Sequence, residues 1–348
     1  MFLPVGDAPN PRETPWVTYG LIALNVAVFL LLWPTTRERP RPHDPRVARY
    51  YRTLVEVYGE PTAQAAVRDL SEYDLLVFEH GFKPRDPELR DLFSSLFLHG
   101  GLLHLVGNLL FLWIFGNNVE VRAGPGLYLF GYLATGALAG LGDACLRWGS
   151  PLPAVGASGA ISGVLGAYYL LFPGNVVRVA VFLFPFLLDV WELRARVVLG
   201  FYVIVQNLLP ALITTGEGGV SYGAHLGGFV AGVAGAWLLR GAAPGPGDAV
   251  DLSALAPLEV ARRADALAHP LDAVRLWQRY LQAAGPAREG DALLGLGYAL
   301  ARAGRPIEAY QHAYAAWTRA TRHASRERAA ALMRALQAQV QVPRRYVR

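Results

Sequence analysis

Three stretches of this 348-residue chain set reactive polar side chains inside otherwise apolar sequence: HGGLLHLVGN (99–108), VGASGAISG (155–163) and GAHLGGFVAG (223–232). A serine hydroxyl becomes a nucleophile only when a base takes its proton, and neutral imidazole is the side chain suited to that near pH 7. Ser158 and His225 supply such a pair, with His225 as general base toward Ser158 and then general acid toward a leaving amine. A tetrahedral intermediate also needs donors for its oxyanion. On a helix, His104 and Asn108 stand four apart and share a face. Asn108 offers its amide, His104 an imidazole N–H, and Ser158 its own backbone N–H in the first turn of a helix. Asp143 has a simpler partner in Arg147 at i+4, so no carboxylate remains to orient the imidazole. The chemistry on offer is acyl transfer by a serine–histidine dyad.

The elements that must position these groups are membrane helices. Charged residues make up 17% of the chain and hydrophobic residues 53%, against about 25% charged in soluble domains. Six nearly charge-free windows, 16–33, 101–116, 127–142, 157–172, 197–213 and 222–239, approach the roughly 17 to 25 residues that a hydrocarbon core demands. Polar groups at that depth cost several kcal/mol unless they face protein or water, so they mark functional sites. Gly156 and Gly159 leave the Ser158 hydroxyl open. Gly159 and Gly163 form a small-residue seam that Gly228 and Gly232 repeat on the last span, which would bring Ser158 and His225 together at one membrane face.

Around the spans, residues 1–15 lack the basic start of a signal peptide. The polar connection 35–98 carries two helical-looking pieces, ARYYRTLVEVY and AQAAVRDLSEYDLLVFEHGF, and reads as a functional loop or lid. The apolar stretch 176–191, with Pro185 at its centre, reads as a helical hairpin in the interface and leaves a seventh membrane segment open. The membrane unit thus runs over 16–240, a linker over 241–254, and a soluble helical domain over 255–348. There HPLDAVRLW (269–277) recurs as RPIEAYQHA (305–313), 36 residues on, resembling tetratricopeptide repeats of about 34 residues with a capping helix near 325–339. Such a domain docks a protein partner. The arginine distribution divides on orientation, and the expectation is cytoplasmic termini in a bacterial inner membrane. Cys145 is the only cysteine, which excludes an intrachain disulfide. The arginines form no stripe that would suit nucleic acid.

Other readings of the polar residues stay open. Helix-to-helix hydrogen bonding explains any one of them but not four together. A zinc site of His99, His104 and His225 lacks an acidic base, and a transporter would show inverted repeats. In combination and order, the three motifs resemble those of the rhomboid family of intramembrane serine proteases, over residues 16–240. The resemblance implies an all-α polytopic fold, a bundle of six transmembrane helices around a cavity open to the extracytoplasmic side. It also implies hydrolysis of peptide bonds in or beside the transmembrane helix of membrane-protein substrates, without cofactor or metal. Ser158 and His225 would be catalytic, Asn108, His104 and the Ser158 N–H would form the oxyanion hole, and His99 would support it. Glu120 would tie down the inner turn around Gly124. A transmembrane helix must unwind to be cut, so glycine, proline or polar residues near the bond, with a small residue before it, are the expected substrate features. A catalytically silent membrane scaffold is the alternative.

Overall fold

Helix boundaries follow local chemistry closely. The computed structural model describes residues 2–11, 13–41, 43–183, 187–213, 219–242, 252, 255–267 and 270–337. The chain divides into two compact units, one built mainly of Thr14–Pro173 and Val177–Leu239, the other mainly of Arg240–Arg348. The first unit opens with strand β1 (Phe2–Ala8) and helix α1 (Trp16–Leu32). Within the 35–98 connection lie α2 (Pro45–Tyr58), α3 (Glu60–Arg68), α4 (Glu72–His80) and α5 (Leu89–Ser94). The second helical-looking piece of that connection is therefore two helices. Ser71 starts α4 with a reciprocal capping box to Asp74, satisfying first-turn N–H groups.

Helices α6 (Leu102–Ala123) and α7 (Pro125–Leu146) meet at Gly124, whose φ of +83° reverses the chain in one residue before Pro125 opens the next helix. Then come α8 (Ser158–Leu171), strands β2 (Val176–Leu183) and β3 (Leu187–Arg194), and a rod of α9 (Ala195–Val203), a π turn (Ile204–Leu208) and α10 (Leu209–Ile213). The unit ends with α11 (Tyr222–Ala242). Among the described residues, four helical stretches are long and apolar enough to cross a membrane: Trp16–Thr36, Leu102–Ala123, Pro125–Leu146 and Ala195–Ile213. Ser158–Leu171 is apolar but shorter. Large side chains such as Leu31, Trp113, Phe130 and Leu212 lie exposed on these rods, which suits lipid rather than water. The chain is a polytopic, mostly helical membrane protein.

One expectation is overturned. The 176–191 stretch is not a helical hairpin but the β2–β3 pair, in a three-stranded sheet of order β1-β2-β3; Pro185 lies outside the described residues. The physical reason is the run of β-branched residues, which favour a pleated surface: Val177, Val179 and Val181 are buried and Arg178 is exposed, with the small Ala180 buried between Val179 and Val181. Residues 2–8 supply the third strand, held to the helices by Asp7. This buried carboxylate accepts from Tyr168 Oη at 2.5 Å and Asn118 Nδ2 at 2.9 Å.

The second unit contains α12 (Pro257–Ala266), α13 (Pro270–Ala283), α14 (Pro286–Arg302), α15 (Pro306–Arg319) and α16 (His323–Gln337). Four of the five open with proline, whose missing N–H is harmless at a helix start. Trp277, Tyr280, Leu296, Leu300 and Ala313 fill a shared core. The region is all-helical with sequential packing. Most of the 241–254 linker, and the end of the 325–339 helix, lie outside the described residues.

Candidate functional site

The start of α8 is fixed before the helix begins. Phe82 and Ala154 exchange backbone hydrogen bonds of 3.0 and 2.8 Å in an antiparallel bridge, and Gly156 N–H donates to the Ser95 carbonyl at 2.8 Å. The 35–98 segment therefore holds the run that delivers Ser158. Gly156 sits at φ +125°, and a Cβ there would lie 2.7 Å from the His104 ring. No other residue type fits that turn beside that imidazole.

Close backbone approach then brings α11 to α8. A Cβ on Gly228 would run into the Gly159 carbonyl, and one on Gly232 into the Gly163 carbonyl. With this seam closed, His225 Nε2 lies 2.8 Å from Ser158 Oγ. On the far side of the ring, Nδ1 lies 2.6 Å from Asn207 Oδ1. Asn207 is buried in the π turn and was not foreseen as a partner. Its signal in the sequence was an amide inside the apolar run 197–213, which by itself names no neighbour. Tyr202 lies alongside, its ring centroid 6.4 Å from that of His225 and its hydroxyl 2.9 Å from Ser162 Oγ.

His104 and Asn108 face the same place from α6. Gly100 N–H donates to His104 Nδ1 at 3.3 Å, which leaves the ring hydrogen on Nε2. Asn108 Nδ2 is buried and, among the described residues, has no hydrogen-bond partner. Both atoms approach Gly156, as near as 2.7 Å and 3.6 Å to where its Cβ would be. His99 stays behind them, its ring edge-on to His104 with centroids 5.2 Å apart. Tyr73 Oη donates to the His99 carbonyl at 2.6 Å and accepts from its N–H at 3.2 Å. Burial, with His104 beside it, pushes the His99 imidazole down to about 4, so it stays neutral.

These groups line a cavity of about 750 Å³. Ser158, His225, His104 and Asn108 form its polar side, while Tyr50, Leu54 and Phe78 of α2 and α4 form an apolar wall. The cavity has room for an extended peptide segment, and Asp74, Arg147 and Ser221 add further polar groups to its lining. Among the described residues no group of three or more His, Cys, Asp or Glu side chains is arranged to hold a metal ion.

The Glu120 backbone carbonyl accepts the Gly124 N–H at 2.8 Å, whereas its side chain reaches another helix. Its carboxylate does not brace the turn at Gly124. It accepts the Val17 N–H at 2.9 Å and the Thr18 N–H at 2.7 Å, capping the start of α1. Pro15 gives α1 no side-chain cap, so a distant anion satisfies the orphan donors at the positive end of the helix. Asp143 pairs with Arg147 at 2.5 Å and also accepts from Ser221 Oγ at 2.5 Å, just before α11. It braces the start of the helix that carries His225.

Fold and site together describe a polytopic membrane protein with a serine–imidazole pair set into its interior. A Rhomboid domain model matches residues 86–242, and the chain belongs to the rhomboid family. It is 30% identical over 238 residues to RHOMBOID-like protein 5 of Arabidopsis thaliana, covering 64% of this chain and 68% of that one. To Rhomboid protease GluP of Bacillus subtilis it is 43% identical over 76 residues, 22% of this chain and 14% of the relative. To Rhomboid protein 1, mitochondrial, of Saccharomyces cerevisiae it is 30% identical over 155 residues, 42% and 41% of the two chains. The chain thus spans less than half the length of the latter two relatives.

Proposed function

We propose that the protein is an intramembrane serine endopeptidase that cuts membrane-protein substrates in or beside a transmembrane helix. The observation that carries this reading is the 2.8 Å contact between His225 Nε2 and Ser158 Oγ, beside a buried Asn108 Nδ2 that has no partner among the described residues. A buried donor left unmet costs about 1–3 kcal/mol, a cost that makes sense where an acceptor arrives during reaction.

In the proposed reaction Ser158 Oγ attacks the substrate carbonyl carbon while its proton passes to His225 Nε2. The carbonyl π electrons move onto oxygen. That oxyanion accepts from Asn108 Nδ2, His104 Nε2–H and the Ser158 backbone N–H, which as the first residue of α8 has no intrahelical acceptor. Collapse re-forms the carbonyl and breaks the C–N bond, the amine leaving with the proton held by His225. Water, losing a proton to the same imidazole, then attacks the acyl-serine ester; the C–Oγ bond breaks, Ser158 Oγ takes the proton back from His225, and the carboxyl product leaves. No cofactor enters the scheme. In this reading α8 and α11 join the four longer rods as a six-span bundle in a bacterial inner membrane. Its termini are cytoplasmic and the cavity opens to the other face. The C-terminal helices form a tetratricopeptide-like docking domain for a protein partner.

The test is cleavage of a reporter transmembrane substrate in membranes, together with labelling of the purified protein by a fluorophosphonate. Ser158→Ala is expected to abolish both, and His225→Ala to abolish labelling. Cleavage undiminished in Ser158→Ala sinks the assignment. Wild-type protein that neither labels nor cleaves favours the silent scaffold.

A further inference from the structure

Asn207 is 2% exposed and does not line the cavity, yet its side-chain oxygen lies 2.6 Å from His225 Nδ1. The orientation of its amide is set by a second contact. Asn207 Nδ2 donates to the Tyr202 carbonyl at 2.8 Å, so the nitrogen end is occupied by an acceptor and the oxygen end must face the imidazole. An oxygen that only accepts requires hydrogen on Nδ1. The lone pair of the ring is then on Nε2, the atom 2.8 Å from Ser158 Oγ.

The local backbone explains how an asparagine reaches this position. Pro210 has no N–H, so the α-helical bond from position 210 to the Gln206 carbonyl cannot form. The chain widens into the π turn Ile204–Leu208 immediately before it, and such widened turns rotate side chains out of α register. Asn207 is thereby turned toward α11 and held against its own helix through Tyr202.

We propose that Asn207 is the positioning residue of the site: through a fixed amide it holds His225 in the Nδ1–H tautomer and so keeps Nε2 available as the base. The inference rests on the reading of His225 as general base. It supplies, from an uncharged side chain on a different helix, the orienting group that a buried carboxylate would otherwise provide.

Three measurements test it. In wild-type protein with ¹⁵N-labelled histidine, in detergent micelles, the resonances lost in His225→Ala are expected to report a neutral ring protonated at Nδ1; protonation at Nε2 overturns the proposal. Asn207→Leu keeps the volume and removes the acceptor. Its kcat on the reporter substrate is expected to fall roughly 10- to 100-fold, part of what a general base contributes, with KM unchanged because the cavity wall is untouched. Asn207→Asp restores an oxygen toward Nδ1 and is expected to recover at least tenfold over Asn207→Leu. A folded Asn207→Leu protein with unchanged kcat overturns the positioning role while leaving Ser158 and His225 in place. Activity that survives Ser158→Ala instead removes the catalytic reading beneath it.

Discussion

Both units bury an apolar core, but they differ in how many polar groups they bury with it. Within Pro257–Gln337 the described buried side chains are alanine, leucine, valine and aromatic residues, with Asp272 and Ser325 the only buried polar groups among them. The membrane unit buries Thr18, Asn118, Glu120, Asp143 and Asn207, and leaves Leu103 88% and Leu31 76% exposed. In water, burial itself tells inside from outside, because apolar surface is driven out of contact with solvent. Lipid tails are as apolar as leucine and provide no such distinction. The membrane unit therefore specifies position with polar pairs and bare glycine contacts. The same side chains that register the helices are available for chemistry where one is left without a partner.

That contrast predicts a division between activity and stability, sharpest at Asn108. Its Nδ2 is buried without a partner among the described residues, so Asn108→Ala removes no hydrogen bond that this nitrogen makes to them. The thermal midpoint in detergent is expected to change little. Turnover is expected to fall by roughly 10² to 10³, about 3–4 kcal/mol of transition-state stabilisation, with KM nearly constant. A large loss of stability with unchanged turnover per folded molecule would make Asn108 a helix-packing residue and break the comparison.

One substitution made in both units sharpens it further. Leu300 is 1% exposed in the C-terminal core, and Leu300→Ala is expected to cost about 3 kcal/mol through lost burial and a residual cavity. Faster amide exchange or limited proteolysis within Pro286–Arg302 of the full chain would report it. Leu31→Ala, on the lipid-facing side of α1, is expected to stay within about 0.5 kcal/mol by thermal unfolding in detergent. Equal costs at the two sites would mean that the membrane unit also relies on apolar burial at its surface.

The same contrast explains what could be read in the chain. Ser158, His225, His104 and Asn108 stood out because a polar group in an apolar run has few reasons to be there, and the glycine spacing of 159/163 against 228/232 named the seam that joins them. Asn207 is likewise a polar group in an apolar run, but its direction depends on the π turn, which follows from a proline three residues on and not from any hydropathy pattern. The β2–β3 pair was hidden because an apolar run among membrane spans invites a helical reading. Its alternating valines become decisive only once β1, about 170 residues earlier in sequence, provides an edge. The side-chain role of Glu120 was hidden for the same reason: its carboxylate accepts from Val17 and Thr18, 103 and 102 positions away, and contacts of that range leave no mark in local spacing.

Glu120 is also the smallest and cleanest test of whether polar groups seat the helices of the membrane unit. Both of its carboxylate oxygens accept backbone N–H groups at the start of α1, where the helix dipole favours negative charge. Glu120→Gln keeps the shape, keeps one acceptor, and turns an amide NH₂ toward the other donor. The expected cost is about 1–2 kcal/mol, seen as a lower thermal midpoint in detergent, with kcat per folded molecule unchanged because Glu120 does not line the cavity. An unchanged midpoint would mean that α1 is seated by apolar packing alone, as in the C-terminal unit. A fall in kcat at constant stability would instead tie the start of α1 to the geometry around Ser158.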